Sequence, residues 1–109
     1  MRVIVTGGRT YADAANVHAE LDMIQPAVIV QGGANGADQL AREWARLRHK
    51  PCFTFEADWS RGAKAGPERN AKMIASGADL VVAFPGGRGT ADCVKKALAA
   101  GIPVREVAT

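Results

Sequence analysis

Five short apolar runs alternate along the chain with longer stretches whose apolar residues recur at helical spacing. Residues 2–5, 28–30, 52–55, 79–84 and 104–107 read as strands, with few polar interruptions, as strands covered on both faces should be. The stripe Ala14, Val17, Leu21 and Ile24 predicts a first helix over 11–24, with Thr10 and Asp13 resembling a capping box. Ala37, Leu40, Ala41, Trp44 and Leu47 predict a second helix over 36–49. Pro67 marks the start of a third, which ends near Gly77. A fourth runs from Thr90 to about residue 100, with Ala91, Val94, Ala97 and Leu98 inward. Residues 57–65 form the long irregular segment. Strict β-α alternation predicts an α/β fold over residues 1–109, a single Rossmann-like α/β/α sandwich around a five-stranded parallel sheet. Right-handed crossovers leave few topologies, and 3-2-1-4-5 is the expected strand order.

In that order the sheet changes direction between strands one and four. Their exit loops, Gly7-Gly8-Arg9 and Pro85-Gly86-Gly87-Arg88-Gly89, then flank the crevice where such sheets bind ligands. The loop after strand two, with Gly32, Gly33, Ala34 and Gly36, lies beside them. Glycines that allow positive φ and carry no Cβ let backbone N–H groups close around an anion. The helix starting at Thr90 adds unpaired N–H groups and a hydroxyl, which together suit a phosphate. Gly89 is expected to need its missing side chain, so that Val there blocks the approach of a phosphate oxygen. A tight strand-to-helix turn with packing glycines is the alternative for one such loop, but three at one sheet edge favour a phosphate-bearing ligand.

Composition narrows the partners. A net charge of +3 favours anionic ligands yet is small for nucleic acid. Two Trp, one Tyr and three Phe are few for stacking along a single strand, so nucleic acid is disfavoured. Cys52 and Cys93 stand far apart without metal-ligand spacing, so neither a metal nor a disulfide is expected. No apolar run approaches membrane-spanning length, and the opening run is short for a leader, which points to a cytoplasmic protein. GxxxxGK[ST] and GxSxG are absent. The segment from Gly87 to Asp92 only begins like GxGxxG, and strand two ends without the acid that holds a dinucleotide ribose. No cofactor is therefore expected.

TGGR at Thr6, GGANGAD at Gly32, ADWSRGAKAGPERN at Ala57 and AFPGGRGTAD at Ala83 resemble, in order and over nearly the whole chain, the YspA-type members of the SLOG superfamily. The resemblance implies a Rossmann-like fold that binds nucleotides or nucleotide-derived ligands. The related Lonely Guy phosphoribohydrolases cleave the base from nucleoside 5′-monophosphates, and another branch takes part in single-strand DNA uptake and processing. The phosphoribohydrolase motif PGGxGTxxE is matched from Pro85 to Thr90, but Cys93 stands at its catalytic glutamate. Asp92 is one residue early, about 100° round the helix. Of RKxxM, Arg69 and Met73 remain, with Asn70 replacing the lysine.

Nucleotide binding is thus the leading expectation, with N-glycosidic hydrolysis and single-strand nucleic-acid binding as alternatives. Arg69 is expected to contact phosphate or a leaving group, and with Asp92 forms the candidate catalytic pair. Asp38 is a candidate ribose acceptor or a helix-start carboxylate. Trp59 is a base platform or a loop anchor. Asp58 is an acid/base candidate or a cap, and Asn70, Arg9 and Arg88 complete the expected ligand contacts. A small domain with apolar helix faces, and the dimers of the phosphoribohydrolases, predict a homodimer, with Met73 and Ile74 at a plausible contact.

Overall fold

Val3, Ile4 and Val5 are fully buried, and this explains why the first strand takes the middle of the sheet. A strand whose successive side chains are all apolar must be covered on both faces. The computed structural model describes residues 1–108 and shows five parallel strands in the order β3-β2-β1-β4-β5. The elements are β1 (Arg2–Thr6), α1 (Ala14–Ile24), β2 (Val28–Gln31), α2 (Ala37–Leu47), β3 (Cys52–Thr54), a 3₁₀ segment (Trp59–Lys64), α3 (Ala65–Ala75), β4 (Leu80–Ala83), α4 (Arg88–Ala99) and β5 (Val104–Glu106). Ile4 lies beside Val30 on one flank and Val81 on the other, which fixes the register of the central three strands. The expected order and parallel pairing are those observed.

The alternation of β1 divides the core. Val3 and Val5 join Val17, Leu21, Ala41, Trp44 and Phe84 on the α1–α2 face. Ile4 joins Val30, Val81, Met73, Ile74, Cys93 and Ala97 on the α3–α4 face. The Trp44 indole N–H donates to Asp22 at 2.9 Å, satisfying its polar end while the ring binds α2 to α1.

Several boundaries differ from the sequence reading. The first helix starts at Ala14, because the Asp13 carboxylate itself accepts the Asn16 N–H at 3.0 Å as the N-cap. Tyr11 is thereby released to pack on Phe84, with ring centroids 5.4 Å apart. Part of the segment taken as irregular is a 3₁₀ turn that runs into α3 at Ala65, two residues before Pro67. Proline is accommodated there because first-turn N–H groups have no intrahelical acceptor. The fourth helix begins at Arg88, so Gly89 is helical. Ala14, Leu47, Ala91 and Leu98 are exposed, since the inward stripes of their helices are carried by Val17 and Leu21, Trp44 and Ala45, and Cys93 and Ala97. Met73 and Ile74 are buried in the core and cannot serve as a dimer contact. No helix among the described residues is long and apolar enough to cross a membrane.

Met73→Ala should therefore lower unfolding free energy by about 2–4 kcal/mol, as a buried truncation. Urea denaturation checks the loss, and sedimentation should show the variant's oligomeric state unchanged.

Candidate functional site

The loops leaving β1, β2 and β4 meet at Gly8. Its N–H donates to the Pro85 carbonyl at 2.9 Å, and its carbonyl accepts from the N–H groups of Ala37 and Tyr11, each at 3.2 Å. Side chains would prevent this approach. A Cβ on Gly7 would stand 2.5 Å from the Ala37 Cβ, and one on Gly36 would stand 2.1 Å from the Gly8 carbonyl oxygen. Gly36 also has φ of 78°, where it caps α2. Gly86 is equally confined, because a Cβ would reach 2.2 Å from the Thr90 hydroxyl oxygen.

Positive φ is not what the glycines after β4 supply. Gly86, Gly87 and Gly89 all lack positive φ, and a Cβ on Gly89 would meet nothing within 4 Å. What the segment contributes is the head of α4. Gly87 is its N-cap, with no side-chain cap, and Ala91 is the residue whose N–H returns to the Gly87 carbonyl. The N–H groups of Arg88, Gly89 and Thr90 precede that first α-helical bond.

Gly87, Arg88, Gly89 and Thr90 line a cavity of about 560 Å³. Thr6, Gly7 and Gly8 border it from β1 and its exit, Ala34 from the β2 exit loop and Asp38 from the start of α2. Arg69 and Pro67 belong to α3, while Trp59 and Arg9 stand at the rim with the guanidinium 5.1 Å from the indole centre. Arg88 and Asp92 complete the α4 wall. A smaller cavity of about 210 Å³ shares Arg9, Ala34, Trp59 and Arg69 and is bordered by Gly32 and Gly33. Thr6, Ala63, Gly66 and Pro67 were missed by sequence reasoning. Gly66 carried a signal in its spacing from Trp59, since the indole rests 3.5 Å from where a Gly66 Cβ would be.

Other expected contacts lie behind the wall. Asn70 is buried, and its amide donates to the Gly89 carbonyl at 3.1 Å and to Asp92 at 3.0 Å. It holds α4 to α3 rather than bordering the cavity. Pro85 and Gly86 border a separate depression on the β5 side. Asp58 does not border the main cavity. It caps the 3₁₀ turn, accepting from the Ser60 N–H and hydroxyl at 3.2 and 2.5 Å.

Arg69 donates from Nη1 to the Gly32 carbonyl at 2.5 Å and from Nε to Asn70 at 2.9 Å. Its guanidinium fills the space a Gly32 Cβ would need, 2.2 Å away, so glycine is required there. Burial raises the Asp92 carboxyl, but hydrogen bonds from Lys96 and Asn70 and the charges of Lys96 and Lys95 outweigh it and hold the group below the usual range. An acid so committed to Lys96, at 2.5 Å, is a poor proton carrier. Cys93 is fully buried beneath Thr6, and burial pushes its thiol up to about 11. Burial pushes the Asp38 carboxyl up to about 6, against the lowering pull of the Ala34 N–H, Arg69 and the Gly32 N–H.

A family model described as the YspA, cpYpsA-related SLOG family matches residues 1–62. The Gene 61 protein of Mycobacterium phage D29 is 41% identical over 116 residues, covering 94% of this chain and 93% of that protein. The X-ray structure of TM1055, a structural genomics target, superimposes with a TM-score of 0.76 over 94% of this chain and 71% of its own. At 21% identity that likeness shows the fold alone.

Two outcomes follow from the site's packing and charge. Gly86→Ala should cost about 1–3 kcal/mol through the clash with Thr90, whereas Gly89→Ala should be neutral or stabilise by up to about 1 kcal/mol. Chemical denaturation of both variants checks this. Asp38, with its folded pKa raised to about 6 from 3.8, binds more protons folded than unfolded between those values. Its contribution is therefore intact below pH 4 and is lost as pH rises towards 6. Asp38→Asn removes that loss, so its stability relative to the parent should improve by roughly 2–3 kcal/mol from pH 4 to pH 7, read from paired denaturation curves.

Proposed function

The chain belongs to the YspA, cpYpsA-related SLOG family, and from that footing we propose that it binds a nucleotide or nucleotide-derived ligand, with a phosphate on the first turn of α4. The observation that carries the reading is the uncapped head of α4 opening onto the cavity that also holds Arg69, at the point where the strand order reverses. First-turn N–H groups and the helix dipole favour an anion there. Arg69 adds a guanidinium whose fork suits phosphate oxygens. Thr90 supplies a hydroxyl from the same turn. Trp59, exposed at the rim, presents a flat face for a base, and Arg9 stacks on it.

A second reading, hydrolysis of the nucleotide's N-glycosidic bond, is supported by the buried Asp38 carboxylate beside Arg69 in the same cavity. The earlier pairing of Arg69 with Asp92 is weakened by the tie of Asp92 to Lys96. Association as a cytoplasmic homodimer remains part of the proposal, with its contact elsewhere than Met73 and Ile74.

A thermal-shift panel of nucleoside mono- and diphosphates, ADP-ribose, NAD and short oligonucleotides tests the reading. A nucleotide at a hundredfold excess over its Kd should stabilise the fold by about 2.7 kcal/mol. Arg69→Ala should weaken that ligand about tenfold or more. Stabilisation by oligonucleotides alone, or by nothing, would overturn the proposal. Release of free base from a nucleoside monophosphate would select the hydrolytic reading. Sedimentation should give twice the 11.4 kDa chain mass.

A further inference from the structure

Asp38 keeps one carboxylate oxygen that the protein does not use. Its Oδ2 accepts from the Gly32 and Ala34 N–H groups at 3.1 and 3.3 Å. Its Oδ1 is buried and without a hydrogen-bond partner among the described residues. The residue is 5% exposed, yet it borders the main cavity. Buried acceptors are nearly always paired, and leaving one bare is costly. An oxygen held in place by two backbone donors through its twin, on a residue that borders a cavity, is prepared for a donor that arrives from outside.

The sheet order says which part of a nucleotide that donor belongs to. Trp59 follows β3, Asp38 follows β2, Gly7 to Arg9 follow β1, and the α4 head follows β4. Trp59, Asp38, Gly7 to Arg9 and the α4 head are not strung out singly along the sheet edge but border one cavity, with the Arg9 guanidinium 5.1 Å from the Trp59 indole centre. With phosphate at α4 and base at Trp59, the group between them is the sugar, whose hydroxyls are donors.

We infer that Asp38 reads the sugar: its free oxygen accepts a ribose hydroxyl, so the site selects ribonucleotides over deoxyribonucleotides, and the hydroxyl seats on the ionised carboxylate with release of a proton. This rests on the nucleotide reading above. The carboxylate feels Arg69 from α3 and stands near the neutral Cys93 thiol of α4, while Thr6 from β1 and Asp92 from α4, the latter paired with Lys96, border the same cavity. Before binding, burial holds Asp38 at about 6. A donated hydroxyl favours the charged form and lowers that value. Affinity should therefore rise from pH 5 to pH 7, and binding near pH 6 should expel about half a proton.

The test uses the four 5′-ribonucleoside monophosphates with their 2′-deoxy and 3′-deoxy counterparts, titrated calorimetrically in buffers of different ionisation enthalpy. Loss of one hydroxyl should weaken binding to the parent about tenfold or more. In Asp38→Asn, which keeps an acceptor for the two N–H groups, the preference for ribo over deoxy forms should shrink, since the charged acceptor becomes a neutral amide N–H₂ that can only donate to the hydroxyl oxygen. Proton release at pH 6 should be greater for the parent than for Asp38→Asn and should vanish at pH 8. The phosphate's own second ionisation, near 6, is common to both proteins and cancels in the difference. Equal binding of ribo and both deoxy forms to the parent, or no excess proton release, would overturn the inference and leave the nucleotide reading standing. Binding by none of these monophosphates would overturn the inference, and the wider panel of diphosphates, ADP-ribose and NAD then decides the nucleotide reading. If Asp38→Asn does not fold, the hydroxyl comparison on the parent decides.

Discussion

Everything around the cavity depends on how closely three loops can approach the backbone of Gly8. One peptide unit donates to the β4 exit and another accepts from the first N–H of α2, so the heads of two helices are set from the central strand. Those bonds need N–H and C=O groups within about 3 Å of one another, a separation that Cβ atoms on Gly7, Gly8 or Gly36 would forbid. The apolar sheet makes the clasp possible by burying β1 on both faces, which brings its C-terminal end out between its neighbours. Gly8 then turns an edge of the sheet into a shaped hollow.

Asn70 supplies the second constraint. A buried amide must find partners, and this one finds them on α4, at the Gly89 carbonyl and Asp92, while its oxygen takes the Nε–H of Arg69. The guanidinium that faces the cavity and the helix head that faces it are thus fixed by one side chain. Lys96 completes the chain by neutralising Asp92, so the cluster carries Arg69 as its unbalanced charge towards the cavity. A ligand at the α4 head would press on α3 as well.

The fold was legible because its signals are redundant. Each strand is apolar, each is followed by a helical stripe, and only one handedness of crossover is available. The meeting of three loops at one sheet edge was legible for the same reason, since glycines gathered after β1, β2 and β4 mark places where backbones meet. The finer roles were not. Gly86 and Gly89 look alike in sequence, yet one is pinned against Thr90 and the other faces open space. Asn70 reads as a contact residue because it follows Arg69, but consecutive helical positions point about 100° apart, and Asn70 turns inward. Asp38 reads equally as a helix-start carboxylate or a sugar acceptor. Its bare oxygen depends on which N–H groups the preceding loop returns to it, and periodicity does not carry that information.

The exposed pair of Arg9 and Trp59 stands in a different mechanical situation from the glycines beneath it. Gly7, Gly8, Gly32, Gly36 and Gly86 cannot change one at a time, because a Cβ on each comes within 3 Å of backbone or of a packed side chain. The rim pair touches mainly each other and solvent, with the indole resting on Gly66. Sequence drift is therefore channelled. Descendants of this chain are free to alter what the rim presents while inheriting the hollow unchanged, so relatives with the same packed glycines can differ in what the hollow admits.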